Sequence, residues 1–151
     1  MDAAELLGKI PTLDGRSATE EVDDAILDAI TLSACADGVS KEELTALLRM
    51  ARQLPTLEGK SLPEIDARVH AAFARVEADG LEGRLAKLAN DSFDDVARRR
   101  IFCAAAVVQY ADGRVTDQEN EFLLDLADVL GLDDMRTQEI LAEIEAELPK
   151  E

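Results

Sequence analysis

Tryptophan is absent from this 151-residue chain, which holds one tyrosine, four phenylalanines, four prolines, two cysteines and one histidine. The scarcity of histidine and cysteine removes whole classes of function. His70 is the single histidine, and Ala67 stands three residues before it. The Glu-x-x-His pairs of a di-iron carboxylate bundle are therefore missing. So is a zinc hydrolase centre, which needs a second His or paired Cys. Cys35 and Cys103 lack C-x-x-C spacing and lie inside helical pattern, so they read as reduced, small hydrophobes of a cytosolic interior. The longest strongly apolar run, IFCAAAVV at 101–108, falls short of the about 20 residues that a membrane helix needs. The opening MDAAELLGKIP has neither a positive n-region nor a signal-length apolar run. A cytoplasmic protein without direct membrane insertion is expected. There is no Walker loop and no Rossmann glycine pattern, and serine and threonine fall mostly at helix caps. Catalysis is not expected.

Basic residues are also scarce. Against 33 Asp and Glu stand 16 Lys and Arg, a net charge of −17. Such a surface repels nucleic-acid phosphates and anionic lipid, and it suits divalent cations or a basic protein partner. Its plainest use is solubility. The RRR run at 98–100 follows Asp94 and Asp95 by four residues, an i,i+4 pairing that predicts a solvated, charge-paired face rather than a nucleic-acid patch.

What remains is mostly alanine, leucine and acid, a composition that favours helices. The length suits one domain over residues 1–151. A short leading helix is expected over 3–10, then a turn-rich break in PTLDGRS at 11–17, then a helix from about Thr19 to Ala36, with an acidic first turn (Glu20, Glu21, Asp23, Asp24) and a later part, AILDAITLSACA, apolar on most sides as in a central, buried helix. Ser40 and Glu43 fit a capping box, followed by Leu44, Leu47, Leu48, Ala51 and Leu54 at helical spacing up to Pro55. Ser61 and Glu64 form a second box, with Pro63 tolerated in the first turn. That helix should reach about Ala78, where ADGLEG breaks it before a short helix near 84–90. Ser92 is the expected cap of a helix running to about Ala111. Thr116 and Glu119 cap the next, which Gly131 closes. A last helix is expected over about Asp134 to Leu148. No strand pattern competes. The sequence predicts an all-α bundle of seven or eight helices.

Two parts of the chain resemble each other. At an offset of 75, Ile26 meets Ile101, Ala29 meets Ala104, Leu32 meets Val107 and Asp37 meets Asp112. Beyond the Asp-Gly the offset becomes 76, because Arg114 is extra. Ser40 then meets Thr116, Glu43 meets Glu119, Leu47 meets Leu123, Ala51 meets Ala127 and Leu54 meets Leu130. Two pseudo-symmetric helical hairpins, about 20–54 and 95–130, are expected to pack about a pseudo-two-fold axis. Two copies are too few for a solenoid.

The repeated corners, CADGVSKEE at 35–43 and QYADGRVTDQE at 109–119, have the look of calcium loops but not their ligand set. With Gly113 at loop position six, positions one and three fall on Val108 and Tyr110. In the first copy Glu43 comes one residue too early. Much of each corner is structural: Gly38 and Gly113 suit a left-handed helix end, and Ser40 and Thr116 cap the next helix. Asp37 and Asp112 suit it less, because an acid at a helix C-terminus faces the negative end of the dipole. Two readings stand for the corners, a purely structural turn and a weak divalent-cation site.

The stretches ACADGVSKEELTALLRMARQL and QYADGRVTDQENEFLLDLADVLGL resemble the paired signatures of the tellurite-resistance TerB family, over about residues 20–148. That resemblance implies a compact helical domain without known catalytic activity, associated with tellurite resistance and wider chemical stress. It implies work in a membrane-associated complex with other tellurite-resistance proteins, an integral-membrane and calcium-binding partners among them. It also implies metal-chelating acids, which by motif match are Asp37, Glu43, Asp112 and Glu119, with calcium or magnesium the suitable ions. No His-Pro-Asp signature of a fused J-domain is present. A metal-independent acidic adaptor that docks a basic protein partner is the alternative.

Overall fold

The computed structural model describes Leu6 and residues 20–35, 41–54, 56–57, 59–89, 93–111 and 117–147. Six helices are defined there: α1 (Glu20–Cys35), α2 (Lys41–Ala51), α3 (Leu62–Leu88), α4 (Asp95–Ala111), α5 (Asp117–Val129) and α6 (Asp134–Glu147). Among the described residues there is no strand, so the all-helical expectation holds. Of the expected leading helix only Leu6 is described, helical and fully buried. The expected corners at 36–40 and 112–116, with caps Ser40 and Thr116, lie outside the described residues, as does Ser92.

α1 and α4 form the centre. They pack mainly on each other, with α3 laid against α1 and α6 against α4. Their sequences explain this position: Ile26, Ile30, Ile101, Phe102 and the run Cys103–Val107 are at most 1% exposed. A helix this apolar can be stabilised only by neighbours on several sides. Each fully buried Ile or Phe contributes about 1.5–3 kcal/mol. α2 and α5 are one-sided. Leu47, Met50 and Ala51 on α2, and Leu123, Leu126 and Ala127 on α5, turn inward; all but Met50 lie at the spacing read from the sequence, and Leu48, expected on the same face, is only partly buried.

Helix ends follow local chemistry. Ser61 caps α3 by accepting from the Glu64 N–H at 3.4 Å, and proline fills the first turn. α4 is capped by Asp94, which accepts from the Ala97 N–H at 2.8 Å. A carboxylate one residue before the helix thus takes the role expected of Ser92. Asp133 caps α6 in the same way through Arg136 N–H at 2.8 Å. Gly131, with φ of 71°, closes α5: its N–H donates to Asp128 O at 3.0 Å and Leu132 N–H donates to Ala127 O at 2.9 Å. These two bonds make a Schellman ending, which needs the left-handed residue that glycine supplies.

The expected break near 78–83 takes a subtler form. α3 continues to Leu88, with one non-helical residue inside it, Gly80 at φ 71° and ψ 174°. The segment after Gly80 stays helical because Leu85 and Leu88 are buried in the core.

Candidate functional site

None of the four acids predicted as metal ligands has its side chain among the described residues. Asp37 and Asp112 lie outside the described residues; Glu43 and Glu119 stand on α2 and α5, with their side chains outside them. Among the described residues, no three of His, Cys, Asp and Glu gather as a metal site would require.

What the described residues do bring together is a set of ion pairs between helices. Acids on the outer side of α1 meet arginines of α3. Asp24 Oδ1 accepts from both Arg68 Nε, at 2.9 Å, and Arg68 Nη2, at 2.7 Å. One turn on, Asp28 accepts from Arg75 Nε at 2.9 Å. Arg84, from beyond the Gly80 break, reaches Asp28 at 3.6 Å and Asp79 at 3.0 Å, and Lys87 meets Asp79 at 3.1 Å. Asp79 therefore ties the two segments of α3 across their break. The Asp28 side chain is 5% exposed. Burial is the largest influence on it and pushes its pKa up, against the lowering effect of Arg75 and then Arg84. The Arg75 hydrogen bond and the nearby Arg84 charge argue for an ionised carboxylate at neutral pH despite the upward direction. A cleft of about 230 Å³ opens over this cluster, floored by Leu88 and Phe93. Its lining cations Arg75, Arg84 and Lys87 are matched by Glu21, Asp24 and Asp28, so it offers no surplus charge to a ligand.

Deeper in, Asp23 and Arg100 form an ion pair at 3.5 Å between α1 and α4, with side chains 0% and 1% exposed. The Thr56 N–H donates to the other Asp23 oxygen at 2.9 Å and the Thr56 hydroxyl at 2.5 Å. Arg100 Nε and Nη1 and both amide atoms of Gln109 are buried without a hydrogen-bond partner among the described residues. This corrects the expectation of a solvated RRR face. Arg99 pairs with Asp95 at 2.7 Å on the half-exposed side, where Asp95 also meets Arg136 of α6, but Arg100 points inward and is a structural cation.

Cys103 is free and wholly buried, and burial, then the Glu143 charge, raises its thiol pKa, which suppresses the thiolate. His70 is exposed on α3, its ring nitrogen 2.9 Å from the Asp66 carbonyl oxygen. Burial, then the charge of Glu145, raises the Tyr110 phenol.

Sequence reading missed Arg68, Arg75, Arg84 and Asp79. A signal was present: Asp24 and Asp28 lie four apart and Arg68 and Arg75 seven apart, so each pair shares one helix face. Sequence spacing carries no statement of which faces meet.

No helix among the described residues is long and apolar enough to cross a membrane. Comparison with curated proteins and with solved structures gives no match. The family described as "Tellurite resistance protein TerB" matches residues 23–142, a span that contains α2 to α5 whole and most of α1 and α6. The chain belongs to the TerB family.

Proposed function

We propose that this protein is a non-catalytic component of a tellurite-resistance or chemical-stress response, acting in the cytoplasm by binding rather than by turnover. Family membership carries this reading. It is supported by the engagement of Asp23 with Arg100 and of Asp28 with Arg75 in helix-to-helix contacts. In this reading the two hairpins are related by a pseudo-two-fold axis, and each corner offers weak oxygen ligation to calcium or magnesium: Asp37 with Glu43, and Asp112 with Glu119. Two carboxylates per corner, without a full loop, correspond to dissociation constants on the order of 10⁻⁴–10⁻³ M. Calcium titration followed by amide NMR shifts tests this. Saturable shifts at both corners are expected, lost at the second in Asp112→Asn with Glu119→Gln. Absence of saturation at millimolar calcium would reduce the corners to turns.

A second reading, an acidic adaptor for a basic protein partner, has its own observation. α5 contains five acids and no base, and Asp117, Glu121, Asp125 and Asp128 are all exposed. A membrane-associated tellurite-resistance complex would supply such a partner.

A further inference from the structure

The strongest unexplained surface is the outward side of α5. Asp117, Asn120, Glu121, Leu124, Asp125 and Asp128 are exposed, and their spacing of three and four residues places them in one stripe along the helix. Leu124 sits among the acids with 53% of its surface in water. The internal counterpart of this stripe has the opposite character. At the 76-residue offset, Leu124 corresponds to Leu48, which is partly buried against the core. Asp125 and Asp128 correspond to Arg49 and Arg52. The same helix position is thus covered and flanked by cations in one hairpin, and bare and flanked by carboxylates in the other.

We propose that the outward stripe of α5 docks a basic amphipathic helix of another protein, with an apolar side chain on Leu124 and Lys or Arg against Glu121, Asp125 and Asp128. This rests on the adaptor reading and assigns it a place and a partner chemistry. The carboxylates recur about once per turn, an axial spacing near 5.4 Å. A helix laid alongside presents cations at i and i+4 with that same pitch. Nucleic acid and anionic lipid are repelled by the stripe. A metal ion is poorly served, since no three potential ligands converge among the described residues. A second copy of this chain would bring another net charge of −17 to the contact.

The test uses the full chain in EDTA, which keeps it separate from the cation reading. The probe is a synthetic helical peptide of Lys, Leu and Ala, with Lys at i,i+4 and one leucine stripe. A scrambled peptide of the same composition is the control. The expected result is saturable amide shifts centred on Glu121–Asp128, tighter for the patterned peptide. Glu121→Lys with Asp125→Lys should weaken binding more than about ten-fold, since like charges replace attractive pairs. Leu124→Ser should weaken it about three- to ten-fold, the loss expected for an uncovered apolar anchor. These positions are exposed, so the circular dichroism spectrum should stay unchanged. Should Leu124→Ser alter it, the charge-reversal variant alone decides. Saturable shifts centred elsewhere overturn the α5 assignment and leave the adaptor reading standing. No saturable binding of either peptide overturns both. Equal affinity for the scrambled peptide, or a concentration-dependent dimer lost in the charge-reversal variant, also overturns the proposal.

Discussion

The two repeated stretches of the sequence share an apolar pattern and diverge in their polar residues. α1 and α4 begin at Glu20 and Asp95, and α2 and α5 at Lys41 and Asp117, matching the 75- and 76-residue offsets. Ile26 and Ile101, Ala29 and Ala104, and Leu47 and Leu123 are buried at equivalent positions. Yet Asp24 and Asp28 of α1 correspond to Arg99 and Cys103 of α4. In the first hairpin those acids hold α3 through Arg68, Arg75 and Arg84. In the second, Arg99 closes a short link through Asp95 to Arg136 of α6. The apolar pattern is shared by the two central helices, whereas the inter-helix ion pairs made by Asp24 and Asp28 belong to α1 alone.

The largest test of this contrast is at the buried pair joining the two halves. Asp23→Ala leaves Arg100 without its counter-ion in the core, and a loss of about 3–5 kcal/mol is expected in urea melts. Asp23→Leu with Arg100→Met should recover most of it, because two apolar side chains strand no charge. A small loss in the single variant would mean that Arg100 finds water or another partner.

Next in size is the first hairpin's hold on α3. Asp28→Asn should lose about 1–3 kcal/mol, since Arg75 and Arg84 keep only a neutral acceptor. Its pH dependence has a definite sign. The folded pKa of Asp28 is raised above 3.8, so within the window between the two values the folded state binds more protons than the unfolded. The advantage of the wild type over Asp28→Asn should therefore shrink as pH rises through that window and stay constant above it. A growing advantage would show that the arginines outweigh burial.

Smaller effects compare the corners. Ser40→Ala and Thr116→Ala should each lose about 1 kcal/mol as N-caps; unequal losses would separate the two corners. Smallest is Leu124→Ala, expected within about 0.5 kcal/mol of wild type, whereas Leu48→Ala should lose more. Equal losses would show Leu124 to be covered.

Much of the frame was legible because periodicity reports burial directly. Leu47, Ala51, Leu123 and Ala127 were readable as inward, and Ser61 and Gly131 as helix boundaries. Arg100 was misread because i,i+4 pairing with local acids is a rule of isolated helices, whereas its partner Asp23 is distant in sequence. The α4 cap slipped from Ser92 to Asp94 because both residue types make good caps. The candidate site was legible only as a motif, since Asp37, Glu43, Asp112 and Glu119 require side-chain positions to become a ligand set.

The burial of Cys103 has an experimental use. A wholly enclosed thiol meets a labelling reagent only when α4 is uncovered, and α4 lies at the centre of the bundle. In a Cys35→Ser background, the labelling rate of Cys103 would then count openings of the central helix pair. Compared with the overall stability from urea melts, it would tell whether α1 and α4 separate locally or the whole domain opens together.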